Sequence, residues 1–177
     1  NSEGVSSVTI TGDQNVTVTM DASDIDLLTS NAVTVVDSSS ATSTLKVGTA
    51  AGDMDLTAAA VDAIDIAIDN NAKTATVASG AEVTLSVDQT ATTIDGADSG
   101  ASTNSVAVTL DDGATAANAA VDIGTSLTFT DFATATINVS TDSVTSGTYT
   151  ASSITALTGS ADNTSVTIEA GSNGVTL

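Results

Sequence analysis

The groups able to do chemistry in this chain are carboxylates and hydroxyls. Carboxylates cluster at Asp21, Asp24 and Asp26, at Asp53 and Asp55, at Asp62 and Asp65, at Asp95 and Asp98, and at Asp111 and Asp112. Calcium is held by about six to eight hard oxygens, and Asp, Asn, Thr and main-chain carbonyls on turns supply them. Asp21, Asp24, Asp26, Asp53, Asp55, Asp95, Asp98, Asp111 and Asp112 are therefore the candidate metal ligands, with Ca2+ as the candidate ion. The Asp21-x-x-Asp24-x-Asp26 spacing is dense but lacks the order of an EF-hand loop. Asp95-Gly96-Ala97-Asp98-Ser99-Gly100 is a Gly/Asp turn able to wrap an ion, and no Gly-Gly-x-Gly-x-Asp nonapeptide occurs. The alternative to a bound cation is a solvated acidic surface.

Other chemistries are poorly supplied. The 177 residues hold 22 Asp and Glu against 2 Lys and Arg, no His and no Cys, for a formal charge of -20. A Ser-His-Asp triad, a Cys nucleophile and a zinc knuckle are thereby excluded. Two cations, Lys46 and Lys73, cannot neutralise a phosphate backbone, so nucleic acid is excluded as a partner and an anionic membrane surface is disfavoured. Paired carboxylates could hydrolyse glycosides, but only Phe129, Phe132 and Tyr149 are available as sugar platforms. No enzyme activity is expected. Asn15-Val-Thr17, Asn138-Val-Ser140 and Asn163-Thr-Ser165 match the glycosylation sequon, a pattern that chance supplies in so Asn/Ser/Thr-rich a chain.

The elements that must position these groups read as strands. Hydrophobic residues make up 41% of the chain, too many for an acidic disordered segment. Apolar and Ser/Thr residues alternate in Val16–Met20, Val33–Val35, Val83–Val87, Val106–Leu110, Leu127–Phe129, Ile137–Val139 and Val166–Ile168. Gly, Asp, Asn and Ser separate them with turn chemistry. Nineteen of the acids are Asp, which favours turns, and Pro is absent, so nothing interrupts backbone pairing. Leu56 to Ile68 is Ala-rich and could be helical; the alternation Ile64-Asp65-Ile66-Ala67-Ile68 favours strand over Ala63–Ile68, a short helical turn near Thr57–Ala60 is allowed beside it, and Ala114–Ala120 is ambiguous.

The strands repeat. Segments starting at Val16, Met54, Val83, Val108, Ile137 and Val166 share an apolar-polar-apolar pattern, at intervals of 38, 29, 25, 29 and 29 residues. This spacing predicts an all-β parallel β-helix (a β-solenoid) with rungs of roughly 25–30 residues, occupying 1–177 as one segment of a longer chain. The alternative is a β-sandwich of Ig-like domains, weakened by the missing Trp and Cys. In such a solenoid Val, Ile and Leu would stack inward, Thr and Ser outward, and Asp at corners where a cation could bridge them. The pairs Thr9/Thr11, Thr17/Thr19, Thr42/Thr44, Thr74/Thr76, Thr128/Thr130 and Thr134/Thr136 would each place two hydroxyls on one face, the pattern of an ice-binding solenoid, although they do not recur at a fixed spacing in the sequence.

Phrases such as Val8-Thr-Ile-Thr-Gly-Asp-Gln-Asn-Val-Thr-Val18, Thr34-Val-Val-Asp-Ser-Ser-Ser-Ala41 and Ser165-Val-Thr-Ile-Glu-Ala-Gly-Ser172 resemble the repeats of bacterial surface-layer proteins and large type I-secreted adhesins. The resemblance covers the whole chain and implies calcium-dependent assembly and an extracellular, cell-surface location. The expected function is a structural segment of a surface layer, sheath or fibre. Like subunits, and a cell-surface polysaccharide, are the expected partners, without membrane insertion. An adhesin or ice-binding module is the alternative.

Overall fold

The computed structural model describes residues 6–68, 73–98, 103–111, 126–139, 149–150, 154–158, 165–170 and 175–176. Its strands, numbered in chain order, form four sheets. A three-stranded sheet holds β1 (Ser7–Ile10), β3 (Thr34–Asp37) and β6 (Ala59–Ala60). A five-stranded sheet holds β5 (Met54–Asp55), β8 (Lys73–Val77), β10 (Ala91–Gly96), β12 (Ser126–Thr130) and β15 (Ile154–Thr158). A seven-stranded sheet holds β2 (Val16–Met20), β4 (Ser43–Val47), β7 (Ala63–Ile66), β9 (Ala81–Leu85), β11 (Ser105–Leu110), β13 (Thr134–Val139) and β16 (Ser165–Ala170). β14 (Tyr149–Thr150) and β17 (Val175–Thr176) pair alone. The one helix among the described residues is α1 (Ala22–Thr29).

Each sheet adds its strands in chain order, and among the described residues every pairing is parallel. The register of the seven-stranded sheet places Val18, Leu45, Ile64, Val83, Val108, Ile137 and Ile168 in one column. Successive circuits of the chain therefore take 27, 19, 19, 25, 29 and 31 residues. Period two does the rest. Leu45, Ile64, Val83 and Val108 point inward and are buried, while Lys46, Asp65, Thr84 and Thr109, one residue on, stay partly exposed. A second inward column runs Met20, Val47, Ile66, Leu85 and Leu110. The five-stranded sheet contributes Met54, Ala75, Ile94 and Phe129 in register from its own side. Each fully buried Leu, Ile or Val is worth about 1.5–3 kcal/mol over leaving it in water.

The helix is built from local signals. Asp21 is its N-cap: the Oδ1 atom accepts from the Ser23 N–H at 2.9 Å, the Asp24 N–H at 3.2 Å and the Ser23 hydroxyl at 2.7 Å. Ile25 and Leu28, one turn apart, face the core. The helix stops because Asn31 enters the left-handed region at φ 56, which lets the N–H groups of Ala32 and Asn31 return to the carbonyls of Leu27 and Leu28. In chain order α1 takes the place that a strand of the five-stranded sheet takes in later circuits. It packs on β5, whose Asp55 N–H donates to Thr29 Oγ1 at 3.0 Å.

The expected fold class is corrected on three points. The chain is not all-β, because α1 is part of the first circuit; its class is parallel sheet plus helix, a mixed α/β content. The β-sandwich alternative needs antiparallel strands, and every described pair is parallel. The rungs of 25–30 residues also fail, since two circuits take only 19 residues. Short turns close those two circuits, as at Ala78–Gly80, where Gly80 adopts φ 82.

Glycine is required at one strand position. An added Cβ on Gly96, the last residue of β10, would lie 2.6 Å from the Asp131 carbonyl oxygen and 3.2 Å from the Phe132 ring. Asp131 itself turns at φ 57, aiming that carbonyl at β10.

Candidate functional site

The polar groups that matter lie between circuits. Asp37, at the end of β3, and Asp62, just before β7, converge on Ser43, the first residue of β4. Ser43 is fully buried. Its hydroxyl lies 2.8 Å from Asp37 Oδ2 and 3.2 Å from Asp62 Oδ2, while its N–H donates to Asp62 Oδ2 at 2.9 Å. The Asp62 N–H donates back to the Ser43 hydroxyl at 3.0 Å. Ser39 adds a main-chain bond to Asp37 Oδ1 at 2.7 Å. Ser39, through its hydroxyl and its N–H, and then the Ser43 hydroxyl and Asp62, hold the Asp37 carboxyl below the usual carboxylate range. The two acids open on a cleft of about 420 Å³ lined also by Asn15, Ser39, Ser40 and Thr42.

The same device recurs around the coil. Asp65 on β7 bonds Lys46 of the preceding circuit at 3.1 Å and the Ser86 hydroxyl of the following one at 2.5 Å. Asp95 on β10 accepts the hydroxyl of Thr130 on β12 and makes a longer contact of 3.5 Å with Thr76 on β8. Asp53 Oδ1 accepts the Thr74 N–H at 2.8 Å. Two buried amides do similar work at corners. Gln89 donates to the carbonyls of Ile68 and Val87 and accepts from the Thr92 hydroxyl. Asn104 donates to the carbonyls of Asp98 and Asp131, and its own carbonyl oxygen on the main chain accepts from Ala133 and Thr134.

Four of the candidate metal ligands, Asp21, Asp53, Asp55 and Asp95, spend their carboxylates on bonds within the fold. Asp21 caps α1, with Ser23 and Asp24 holding its carboxyl below the usual range. Asp24 lies in the first turn of α1, and Asp26, two residues on, projects from a different side of the same helix. Asp53 reaches β8, while Asp55 turns back on its own Thr57 at 3.0 and 2.6 Å. Asp95 is in mid-sheet, and Asp98 contributes its carbonyl to Asn104. The Asp111 N–H pairs with the Leu85 carbonyl, and Asp112 lies outside the described residues. Among the described residues no three carboxylates gather into a group able to hold a metal ion.

The Asp37–Asp62–Ser43 unit carries no local signature, because its members come from three elements. The available signal was Ser43 itself: in Ser43-Thr-Leu-Lys-Val47 a hydroxyl stands on the inward face, where the pattern otherwise demands an apolar residue.

Hydroxyls form a second array. On the five-stranded sheet, Thr74, Thr93 and Thr128 share one column, and Thr76, Asp95 and Thr130 share the next. Thr74/Thr76 and Thr128/Thr130 are thereby brought onto one face, with Thr93 and Asp95 between them. Thr17/Thr19 lies instead on the seven-stranded sheet, whose outward positions include Lys46, Asp65 and Glu82. Among the described residues no helix is long and apolar enough to cross a membrane. Compared with known protein families, curated proteins and solved structures, the chain matches none, so its function rests on the geometry just described.

Proposed function

We propose that this chain is a structural segment of an extracellular protein, part of a surface layer, sheath or fibre that assembles from like subunits. The observation that carries this reading is that successive circuits are joined twice. Parallel main-chain ladders join them, and side-chain bonds from Asp53, Asp62, Asp65 and Asp95 join them again. A coil held this way resists bending and stretching, because deforming it breaks many bonds together. Exposed carboxylates of neighbouring copies would be bridged by divalent cations, and a cell-surface polysaccharide is a further partner. Catalysis is not part of this reading. Electron microscopy of the native assembly with and without chelator tests it: sheets or filaments that dissolve on chelation support both parts. Assemblies unchanged in chelator sink the cation bridge alone, and dispersed particles in calcium sink the structural role.

A second reading is favoured by the threonine columns on β8, β10 and β12. Strands repeat at about 4.8 Å and alternate residues at about 6.6 Å, giving a grid of hydroxyls and methyls interrupted at Asp95. Such a grid would suit an ordered water lattice, as in an ice-binding or adhesive module. Thermal hysteresis in dilute solution, abolished by Thr93→Lys, is the expected result; its absence removes this reading.

A further inference from the structure

Of the three glycosylation sequons in the chain, the fold singles out one. Asn138 stands inside β13, paired in register with Thr109 of β11 on one side and Glu169 of β16 on the other, so its main chain is committed at both edges. Asn163 lies outside the described residues. Asn15 stands in the turn between β1 and β2, and both it and Thr17 are exposed. The Asn15 Oδ1 atom accepts the Thr42 N–H at 3.2 Å, which holds the side chain against the next circuit. Its Nδ2 amide makes no hydrogen bond among the described residues.

The main chain of this sequon is accessible too. β2 is the first strand of its sheet and pairs with β4 alone, starting with the Val16 N–H on the Thr42 carbonyl at 3.0 Å. Alternate residues of a strand turn their main-chain groups to opposite edges, so those of Thr17 face the edge that no described strand covers. Asn15 also lines the cleft of about 420 Å³, together with Asp37, Ser39, Ser40, Thr42 and Asp62. Their oxygens are acceptors for sugar hydroxyls. The two carboxylates repel an anionic sugar.

We propose that Asn15 is an N-glycosylation site whose first sugar, a neutral hexose or N-acetylhexosamine, settles in the adjoining cleft. In the transfer, Asn15 Nδ2 attacks the anomeric carbon of a sugar carried on a lipid pyrophosphate. The Nδ2–C1 bond forms, the C1–O bond to the pyrophosphate breaks, one Nδ2 proton is lost and the lipid pyrophosphate leaves. Thr17 supplies the hydroxyl that the acceptor pattern requires two residues on. The product keeps Oδ1, so the bond to the Thr42 N–H survives and aims the sugar along the cleft. The proposal rests on the extracellular reading, because such sugars are placed on exported chains.

Peptide mass spectrometry tests this on the whole chain, secreted by a host cell that transfers oligosaccharides beginning with N-acetylhexosamine. Asn15 is expected to be occupied and Asn138 empty. Thr17→Ala should lose the sugar at Asn15, and Thr17→Ser should keep it. Enzymatic release of the sugar from the folded chain is expected to shift the amide NMR signals of Ser39, Ser40 and Thr42 and to leave those of α1 in place. An empty Asn15, equal occupancy at Asn138, or unmoved cleft signals would overturn the proposal. The same mapping on native material, with antibody labelling of intact cells, separates it from the extracellular reading. A chain labelled at the surface yet bare at Asn15 overturns this proposal alone; a chain labelled only after permeabilisation overturns both.

Discussion

Asp65 and Ser86, 21 residues apart in sequence, are joined by a 2.5 Å hydrogen bond that ties one circuit of the chain to the next. Removing either side, as in Asp65→Ala or Ser86→Ala, is expected to cost about 1.5–3 kcal/mol, as for hydrogen bonds to charged groups. The two losses should not add. A double-mutant cycle by urea unfolding is expected to give a coupling of about 1 kcal/mol. Lys46→Ala, on the other side of Asp65, should cost under about 1 kcal/mol and less at high salt, because the lysine is 40% exposed.

Asn104 should be costlier than any surface acid. It is buried, and its side chain satisfies the carbonyls of Asp98 and Asp131. Asn104→Ala leaves both without that donor, at a cost of about 1–3 kcal/mol for each carbonyl that stays buried and unpaired. Gln89→Leu should behave alike, since it strands the Ile68 carbonyl and the Thr92 hydroxyl. Hydrogen exchange is expected to quicken at Ala133 and Thr134 in the first variant and at Thr92 in the second.

Acid should loosen the fold from the caps and corners. Asp21 and Asp37 are both held below the ordinary value of 3.8. A depressed carboxyl stabilises the fold above its unfolded pKa, and that contribution is lost as pH falls through the folded value. Stability measured by thermal unfolding should therefore be level in these two groups above about pH 5 and decline below about pH 4. Asp21→Asn, which still caps a helix but cannot titrate, is expected to flatten part of that decline. An unchanged acid limb would exclude Asp21 as a contributor.

Gly96→Ala tests the close approach of two corners. The new methyl would lie 2.6 Å from the Asp131 carbonyl oxygen, a main-chain atom with little room to retreat. A loss of about 1–3 kcal/mol is expected. Gly52→Ala, whose Cβ would meet nothing within 4 Å, is the control and should be close to neutral.

The strands were legible in the sequence, and their register only partly. Val83, Val108 and Ile137 share a column, as their alignment predicts. Val16 and Val166 sit two residues out of the expected register, since Val18 and Ile168 occupy that column. A slip of two leaves every side chain on its own face, so alternating Val/Thr text carries no penalty against it. Met54 belongs to a different sheet altogether. Ser43–Val47 and Ala63–Ile66 complete the column: the second reads as a strand from its alternation but lies outside the alignment of the others, and the first is disguised by Lys46 at an outward position. The helix was hidden for a related reason. Asp21-x-x-Asp24-x-Asp26 presents carboxylates at ligand-like spacing, but the first of them is bound to main-chain amides that an eight-residue helix leaves open. Contacts such as Asp37 and Asp62 on Ser43 depend on the lengths of two different circuits, which no local pattern encodes.

An open edge of a parallel sheet is a template on which a stray extended peptide can add. At β5 that template is blanked: α1 lies against the strand, and its Thr29 hydroxyl occupies the Asp55 N–H that an incoming strand would need. The five-stranded sheet is consequently directional, sealed against recruitment at its first strand by eight residues that decline to be a strand at all.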